Sequence, residues 1–249
     1  MAKVKTRQRV RNGILLLFFI SFPVVLNYLS PFLSVHGASQ GIISGSLLFF
    51  ALLFASSLIL GRAFCGWVCP GGAVQEMCMR INDHRVRGRR LDWIKYLIWV
   101  PWFAFILFFL IRSGRALAIQ PLYSMDNFIS VSSAPMYIVY FAVLAVIIVP
   151  SLAVGRRAMC HSICWMAPFM ILGRKLRNLG RWPALRLRAD TERCVSCGTC
   201  TKSCSMSLEV QEMVERSRME SSECILCGRC VDNCPQGVIR YSFSRGRSA

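Results

Sequence analysis

Two copies of one cysteine pattern constrain this 249-residue chain more than any other feature. Each copy reads C-x2-C-x2-C-x3-C; the first runs from Cys194 to Cys204, the second from Cys224 to Cys234, and nineteen residues separate them. Three closely spaced thiolates bind one face of a cubane iron–sulfur cluster, and in paired runs the fourth ligand comes from the other run. The pattern therefore predicts two [4Fe–4S] clusters.

The predicted ligands form two sets. One set is Cys194, Cys197, Cys200 and Cys234, and the other is Cys204, Cys224, Cys227 and Cys230. Gly198 and Gly228 occupy matching positions, where the chain must turn tightly beside a cluster. Pro235 follows the last cysteine of the second run, whereas Ser205 stands there in the first. These residues resemble bacterial-type two-cluster ferredoxins, a resemblance that implies one-electron transfer.

A zinc site and a disulfide framework are the alternative interpretations of these cysteines. A zinc ribbon uses two C-x2-C pairs rather than two runs of four cysteines. A disulfide framework is typical of small secreted domains, and this chain is too long and too apolar for that class. We therefore expect a two-cluster ferredoxin domain over residues 189–249, of the α+β class.

The composition of the remaining chain indicates a membrane protein. The sequence is 55% hydrophobic and 17% charged, with a mean hydropathy of +0.48, which is too apolar for an ordinary soluble domain. The formal net charge is +18. Residues 189–249 carry as many acidic as basic side chains, so the excess lies beside the hydrophobic segments. This distribution favours contact with a membrane surface over nucleic-acid binding.

Four apolar segments predict a mainly α-helical membrane domain over residues 1–188. The predicted helices cover about 13–35, 41–60, 93–111 and 136–154. Some 20 apolar residues span roughly 30 Å of hydrocarbon. Pro23 and Pro31 should kink or shorten the first helix. Its basic start could also mark a signal peptide, but the segment is long and has no clean A-x-A cleavage site, so we expect it to be retained.

Basic residues indicate how this four-helix bundle is oriented. The outer connections are 36–40 and 112–135, and their charged residues are Arg112, Arg115 and Asp126. The inner connection at 80–95 carries Arg80, Arg85, Arg87, Arg89, Arg90 and Lys95, and residues 156–188 carry eight basic residues and no acidic one. Basic loops stay on the cytoplasmic side. We therefore expect a multi-pass protein of the inner (cytoplasmic) membrane with both termini and the ferredoxin domain in the cytoplasm.

The second and fourth predicted helices are followed by similar sequences. The first reads G-R-A-F-C-G-W-V-C-P and the second G-R-R-A-M-C-H-S-I-C-W. Cys65 and Cys69 match Cys160 and Cys164 at a constant offset of ninety-five residues. This indicates two parallel hairpin repeats, related by an axis along the membrane normal. Such symmetry would bring the four cysteines together.

Three interpretations of the two C-x3-C pairs remain open. Four facing thiolates would suit a third iron–sulfur or other metal centre. A pair could instead form a redox-active thiol or disulfide site, or the thiols could simply pack as small apolar groups. His161 lies within the second pair and is a candidate extra ligand or proton carrier, although a lone histidine at an interface is more often just hydrogen-bonded.

The full set of motifs resembles the NapH/NosR-type membrane iron–sulfur proteins. The resemblance rests on the membrane helices, on Cys65-x3-Cys69-Pro70, on Cys160-x3-Cys164 with Pro168 nearby, and on the two cluster-binding runs. Trp165 stands where a strict C-x3-C-P motif would have proline. The resemblance implies electron transfer between the quinone or quinol pool and a redox partner, as an electron-transfer subunit of a quinol dehydrogenase complex.

Other functions stay open at this point. The chain could be a membrane anchor, a metallocentre-maturation oxidoreductase or a redox sensor without quinol activity of its own. No dinucleotide-binding or phosphate-loop motif is present, so hydride chemistry is not expected. Asn27, His36, Gln120, Tyr123 and Asp126 are the polar residues near the predicted outer side, and none carries a specific quinone signal.

Overall fold

The computed structural model describes residues 5–86, 91–113, 118–123 and 129–245. Within these ranges the chain is mainly helical, with two small two-stranded sheets. Arg87, Arg89, Arg90, Arg115 and Asp126, on which the loop-charge and outer-side interpretations partly rest, lie outside the described residues.

The first predicted membrane helix is broken. Helix α1 covers Thr6–Ile20, α2 covers Phe22–Val25, a 3-10 turn covers Leu26–Leu29 and α3 covers Pro31–Ser39. The α1 part and the Phe22–Leu29 part meet at an angle of 59°. Pro23 and Pro31 each lie in the first turn of a new helix, where the missing N–H costs no hydrogen bond.

Two further helices are long and apolar enough to cross a membrane. These are α7, Leu91–Ser113, and α8, Ala134–Ala153. The predicted 41–60 segment forms strand β1, Ile42–Ser44, and then α4, Gly45–Leu60, which at 16 residues is about 24 Å long and shorter than a full span. The described residues thus contain two candidate spans, or three if the bent pair counts as one, rather than four plain ones.

Four short helices join these long ones to the C-terminal part. Helix α5 covers Ala63–Trp67, α6 Pro70–Cys78, α9 Ala158–Ser162 and α10 Ala167–Leu179. Phe169, at the start of α10, stacks on Phe50 of α4 and meets the edges of Trp99 and Phe103 in the middle of α7. The turn between α9 and α10 therefore reaches into the helical core.

On the opposite side, the segments preceding α4 and α8 pair with each other. Strand β1 runs parallel to β2, Ala118–Gln120, with Ile43 opposite Ile119. Nearby, the hydroxyl group of Tyr123 makes hydrogen bonds with His36 and Gln40. These contacts join the outer ends of the helices and use His36 and Tyr123, two of the polar residues considered above, for structural bonds.

The C-terminal part is closed by an antiparallel pair. Strand β3, Ala184–Ala189, pairs with β4, Ile239–Ser244. Between them lie a 3-10 turn at Thr191–Arg193 and the short helices α11, Thr199–Lys202, α12, Val210–Glu215, and α13, Arg229–Asp232. Strand β3 begins on the N-terminal side of the boundary predicted at residue 188, and it connects α10 directly to the cysteine-rich part.

Candidate functional site

Two neighbouring pockets hold the eight cysteines of the C-terminal part. Cys194, Cys197, Cys200 and Cys234 line one of them, and Cys204, Cys224, Cys227 and Cys230 line the other. These are the two sets that the spacing groups together. Gly198 and Gly228 have φ angles of 72° and 77°, so each supplies the left-handed turn before the short helix that carries the third cysteine of its run.

The two pockets differ in their surroundings, and we call them the outer and the inner pocket. In the outer pocket, lined by Cys194, Cys197, Cys200 and Cys234, the Cys197 side chain is exposed to solvent. In the inner pocket, lined by Cys204, Cys224, Cys227 and Cys230, Cys227 is buried in the same hydrophobic core as the membrane helices. The inner pocket thus faces the membrane part and the outer pocket faces solvent.

The C-x3-C pairs also come together. Cys65 lies on α5, Cys69 immediately precedes α6, Cys160 lies on α9, and Cys164 lies between α9 and α10. All four side chains are at most 5% exposed and belong to one core, and we call them the four-cysteine group. None of the chain's thirteen cysteines forms a disulfide bond.

Burial and nearby polar groups act in opposite directions on these thiols. Burial raises the pKa of Cys69 and of Cys164, and the backbone N–H groups of Gly72 and Ala167, each in the first turn of the helix that follows, act to lower it. A helix N-terminus stabilises a thiolate. The Gln75 side-chain N–H donates to the Cys160 sulfur at 3.1 Å. Such donors suit thiolates that bind a metal.

Two fully buried arginines flank the four-cysteine group. Arg62 lies beside Cys65, and Arg157 donates through Nη1 to the Cys65 carbonyl at 2.8 Å. Both side chains are 0% exposed, and the same offset of ninety-five residues relates them. A buried guanidinium is costly unless it is paired, so each requires an anion nearby.

Two buried carboxylates pair with these arginines and join the two parts of the chain. Glu76 on α6 binds Arg11, Arg157 and Arg229 at 2.6, 2.7 and 2.5 Å. Burial alone would raise the pKa of Glu76, but the three guanidinium groups hold that pKa far below its ordinary value. Arg11 belongs to α1, and Arg229 belongs to residues 223–230, which we call the inner-pocket segment. Glu76 therefore joins α1 and α6 to the inner-pocket segment.

Glu223 makes a similar connection beside the inner pocket. Its carboxylate binds Arg62 at 2.9 Å and Lys95 of α7 at 2.7 Å. Burial would raise the pKa of Glu223, but Arg62 and Lys95 lower it to about 2. Glu223 directly precedes Cys224, so this ion pair fixes the inner-pocket segment against α7 and the four-cysteine group.

His161 is held by this network. Its Nδ1 atom lies 2.8 Å from the Asp92 carboxylate, and its Nε2 atom is buried without a hydrogen-bond partner among the described residues. Asp92, His161 and Glu223 offer three donor atoms within 4.8 Å of one another. Lys95 lies 2.7 Å from Glu223 and 3.7 Å from Asp92, and Arg62 also binds Glu223, so both carboxylates already have cationic partners. This favours an ion-pair network over a metal site.

The grouping of the cysteines is informative about the metal. Each pocket is lined by three cysteines of one run and one cysteine of the other, as a pair of cubane clusters requires. A zinc ribbon uses two C-x2-C pairs instead. The donor sets of both pockets therefore fit iron–sulfur clusters better than single zinc ions.

Comparison with known families agrees with this donor chemistry. A family described as a 4Fe-4S dicluster domain matches residues 193–239. A family described as a 4Fe-4S binding domain matches residues 44–91 and again residues 136–181, the two segments that carry the C-x3-C pairs. The chain thus contains 4Fe–4S ferredoxin-type domains.

Similar proteins support the same assignment. The chain is 24% identical to YccM of Escherichia coli over 73% of its length and 52% of that protein. It is 28% identical to the methylamine utilization ferredoxin-type protein MauN of Methylorubrum extorquens over 73% of its length and 61% of that protein. The regulatory protein NosR of Pseudomonas aeruginosa is 28% identical over 80% of this chain and 29% of its own length.

The resemblance to NapH/NosR-type membrane iron–sulfur proteins is thus confirmed. The chain spans only about half of the length of YccM and about three-fifths of that of MauN. No solved structure matches the chain.

Several charged residues beside the four-cysteine group could not be identified as part of the site from the cysteine spacing alone. Arg62, Glu76, Arg157 and Glu223 surround the four-cysteine group, yet each reads as an ordinary charged residue in the sequence. One signal was present: an arginine precedes both C-x3-C pairs at the same offset, in segments that are otherwise apolar. The acidic partners lie at unrelated positions and carry no such signal.

Proposed function

We propose that this ferredoxin-type protein is a membrane electron-transfer protein that passes electrons between the quinone or quinol pool and a redox partner protein. One observation carries the proposal. The inner pocket, the four-cysteine group and the apolar helices share a single hydrophobic core, with Cys65, Cys164 and Cys227 all buried within it. Thiolate-bound clusters supply one-electron chemistry, and the protein contributes position and electrostatics.

The eight cysteines of the C-terminal part are proposed to hold two [4Fe–4S] clusters, one in each pocket. The four-cysteine group is proposed to hold a third iron–sulfur centre. Support for the third centre comes from the Gln75 hydrogen bond to Cys160, from the helix N-termini beside Cys69 and Cys164, and from the buried arginines beside Cys65. Four thiolates beside a multinuclear centre leave excess negative charge, which two guanidinium groups would offset.

The chain is proposed to be a multi-pass protein of the inner (cytoplasmic) membrane. The candidate spans α7 and α8 support a membrane location. Exposed apolar side chains on their surfaces, among them Leu97, Phe108, Ile138 and Phe141, suit contact with lipid. Basic residues lie on the side of the ferredoxin part, so positive charge favours a cytoplasmic location for both termini.

Anaerobic reduction of the purified protein by quinol tests this function. Menaquinol or ubiquinol is mixed with oxidised full-length protein in detergent, and cluster reduction is followed by absorbance bleaching and by EPR. We expect reduction by at least one quinol, because the apolar helices give access to a lipid-soluble donor. If dithionite reduces the clusters and neither quinol does so, with or without added membranes, the quinol function is wrong.

A further inference from the structure

The contact between α5 and the inner-pocket segment is unusually close. A Cβ atom on Gly66 would overlap the Ile225 carbonyl oxygen and would lie 3.4 Å from the backbone N and Cα of Cys227. Gly66 stands next to Cys65 of the four-cysteine group, and Cys227 lines the inner pocket. Only glycine lets these two backbones approach to this distance.

Hydrogen bonds hold the same contact from both sides. The Trp67 indole N–H donates to the Leu226 carbonyl at 3.0 Å, and the Gln8 amide donates to the Cys227 carbonyl at 3.1 Å. Arg11 Nε donates to the Gly66 carbonyl at 2.7 Å. Leu226 is therefore bound directly to α5, which carries Cys65, and Cys227 is bound to α1, which is itself bound to α5 through Arg11.

Within the described ranges, the outer pocket has no contact of this kind with the membrane helices. The residues that line it belong to the C-terminal part itself, from Cys194 to Ile239, and Val195 and Cys197 are exposed. The two pockets are therefore not equivalent routes to the membrane. One approaches the four-cysteine group through backbone contact, and the other opens to solvent.

We infer that Gly66 is a positioning residue that makes the inner pocket the entry point for electrons exchanged with the membrane part, leaving the outer pocket to exchange electrons with a soluble redox partner. The inference rests on the proposed function and adds the order in which the two pockets exchange electrons. Each transfer moves one electron and forms or breaks no bond in the protein. A quinol that becomes a quinone supplies two such electrons and releases two protons.

The Gly66→Ala variant tests this inference. An added methyl group must push the Ile225–Cys227 backbone away from α5, because a carbonyl oxygen cannot yield as a flexible side chain would. Gly13→Ala is the matched control, since Gly13 lies in α1 with nothing within 4 Å of the added Cβ. Trp67→Phe is a milder second variant that removes only the hydrogen bond to Leu226.

Three readouts are taken on anaerobically purified full-length protein. Iron content and the EPR spectrum after dithionite reduction report whether the clusters assemble. Hydrogen–deuterium exchange of the 223–230 peptide reports whether the segment has moved. Stopped-flow bleaching by quinol reports electron entry from the membrane side.

We expect Gly66→Ala to retain iron and dithionite reduction, to show faster exchange at 223–230, and to lose the fast phase of reduction by quinol. Trp67→Phe should lose part of that phase, and Gly13→Ala should match the parent protein.

Faster exchange in Gly66→Ala with unchanged quinol kinetics would overturn the inference. So would loss of the quinol phase in Trp67→Phe with no change at 223–230. A parent protein that quinol does not reduce would instead contradict the proposed function itself.

Discussion

The ferredoxin cysteines and the four-cysteine group both bring four thiol groups together, but they are built from different arrangements of the chain. The eight cysteines from Cys194 to Cys234 form their pockets from one local segment, with Gly198 and Gly228 providing the turns. The four-cysteine group is assembled from two segments far apart in the chain, and buried ion pairs around Glu76 and Glu223 hold those segments against the ferredoxin part. A local site can survive damage elsewhere, whereas an assembled site depends on every element that contributes to it.

The largest expected difference between the two sites comes from removing a cysteine. Cys227→Ala removes a predicted cluster ligand, and the two runs share ligands, so both ferredoxin clusters should be lost or destabilised. Cys65→Ala should leave the ferredoxin clusters in place, because its side chain lines neither pocket. Iron content and EPR of the reduced proteins measure both effects. An intact two-cluster spectrum in Cys227→Ala would refute the assigned ligand sets.

Removing the charge of Glu76 should damage the assembled site. Glu76→Gln leaves Arg11 and Arg157 buried without their counter-ion, a change that costs about 3–5 kcal/mol. Thermal unfolding in detergent should show a large drop in midpoint. Glu212→Gln is the control, since Glu212 pairs only with Arg216 at the surface and its loss should change little. Equal midpoints for the two variants would mean that the Glu76 network does not hold the parts together.

The packing of α10 on α4 should be sensitive to a single methyl group. A Cβ on Gly173 would overlap Ser57 Oγ and would lie 2.8 Å from the Phe54 carbonyl oxygen. Overpacking of this kind costs about 1–3 kcal/mol, so Gly173→Ala should lower the unfolding midpoint. Gly13→Ala provides the comparison, because its added Cβ meets open space. A Gly173→Ala midpoint as high as that of Gly13→Ala would show that α10 can shift without cost.

The smallest expected effect concerns Trp165, which stands in place of the motif's proline. Its indole N–H donates to the Leu29 carbonyl at 2.9 Å, so it fastens the α9–α10 turn to the break in the first membrane segment. Trp165→Phe should cost about 0.5–1.5 kcal/mol through the lost hydrogen bond. Trp93→Phe removes an exposed indole and should be nearly neutral. Equal unfolding midpoints for Trp165→Phe and Trp93→Phe would indicate that the aromatic ring, rather than the indole N–H, matters at residue 165.

The sequence predicted what depends on local spacing. The grouping of the two cysteine runs and the break near Pro23 follow from residues close together in the chain. The clustering of the C-x3-C pairs joins distant segments, and it was predicted from their constant offset of ninety-five residues. The full-length second span was not found, because its first residues form strand β1, whose partner β2 lies in a distant segment. Glu76 and Glu223 could not be foreseen, since their burial is decided by arginines that only the fold brings near.

Iron and acid-labile sulfide per chain, measured together with EPR, test the central claim most directly. The samples are anaerobically purified parent protein and the Cys65→Ala/Cys160→Ala double variant. We predict clearly more than about eight irons in the parent, the content of two cubanes. The excess should be lost in the double variant while the ferredoxin signals persist. About eight irons in both proteins would contradict a third centre and would leave the four-cysteine group as buried thiols.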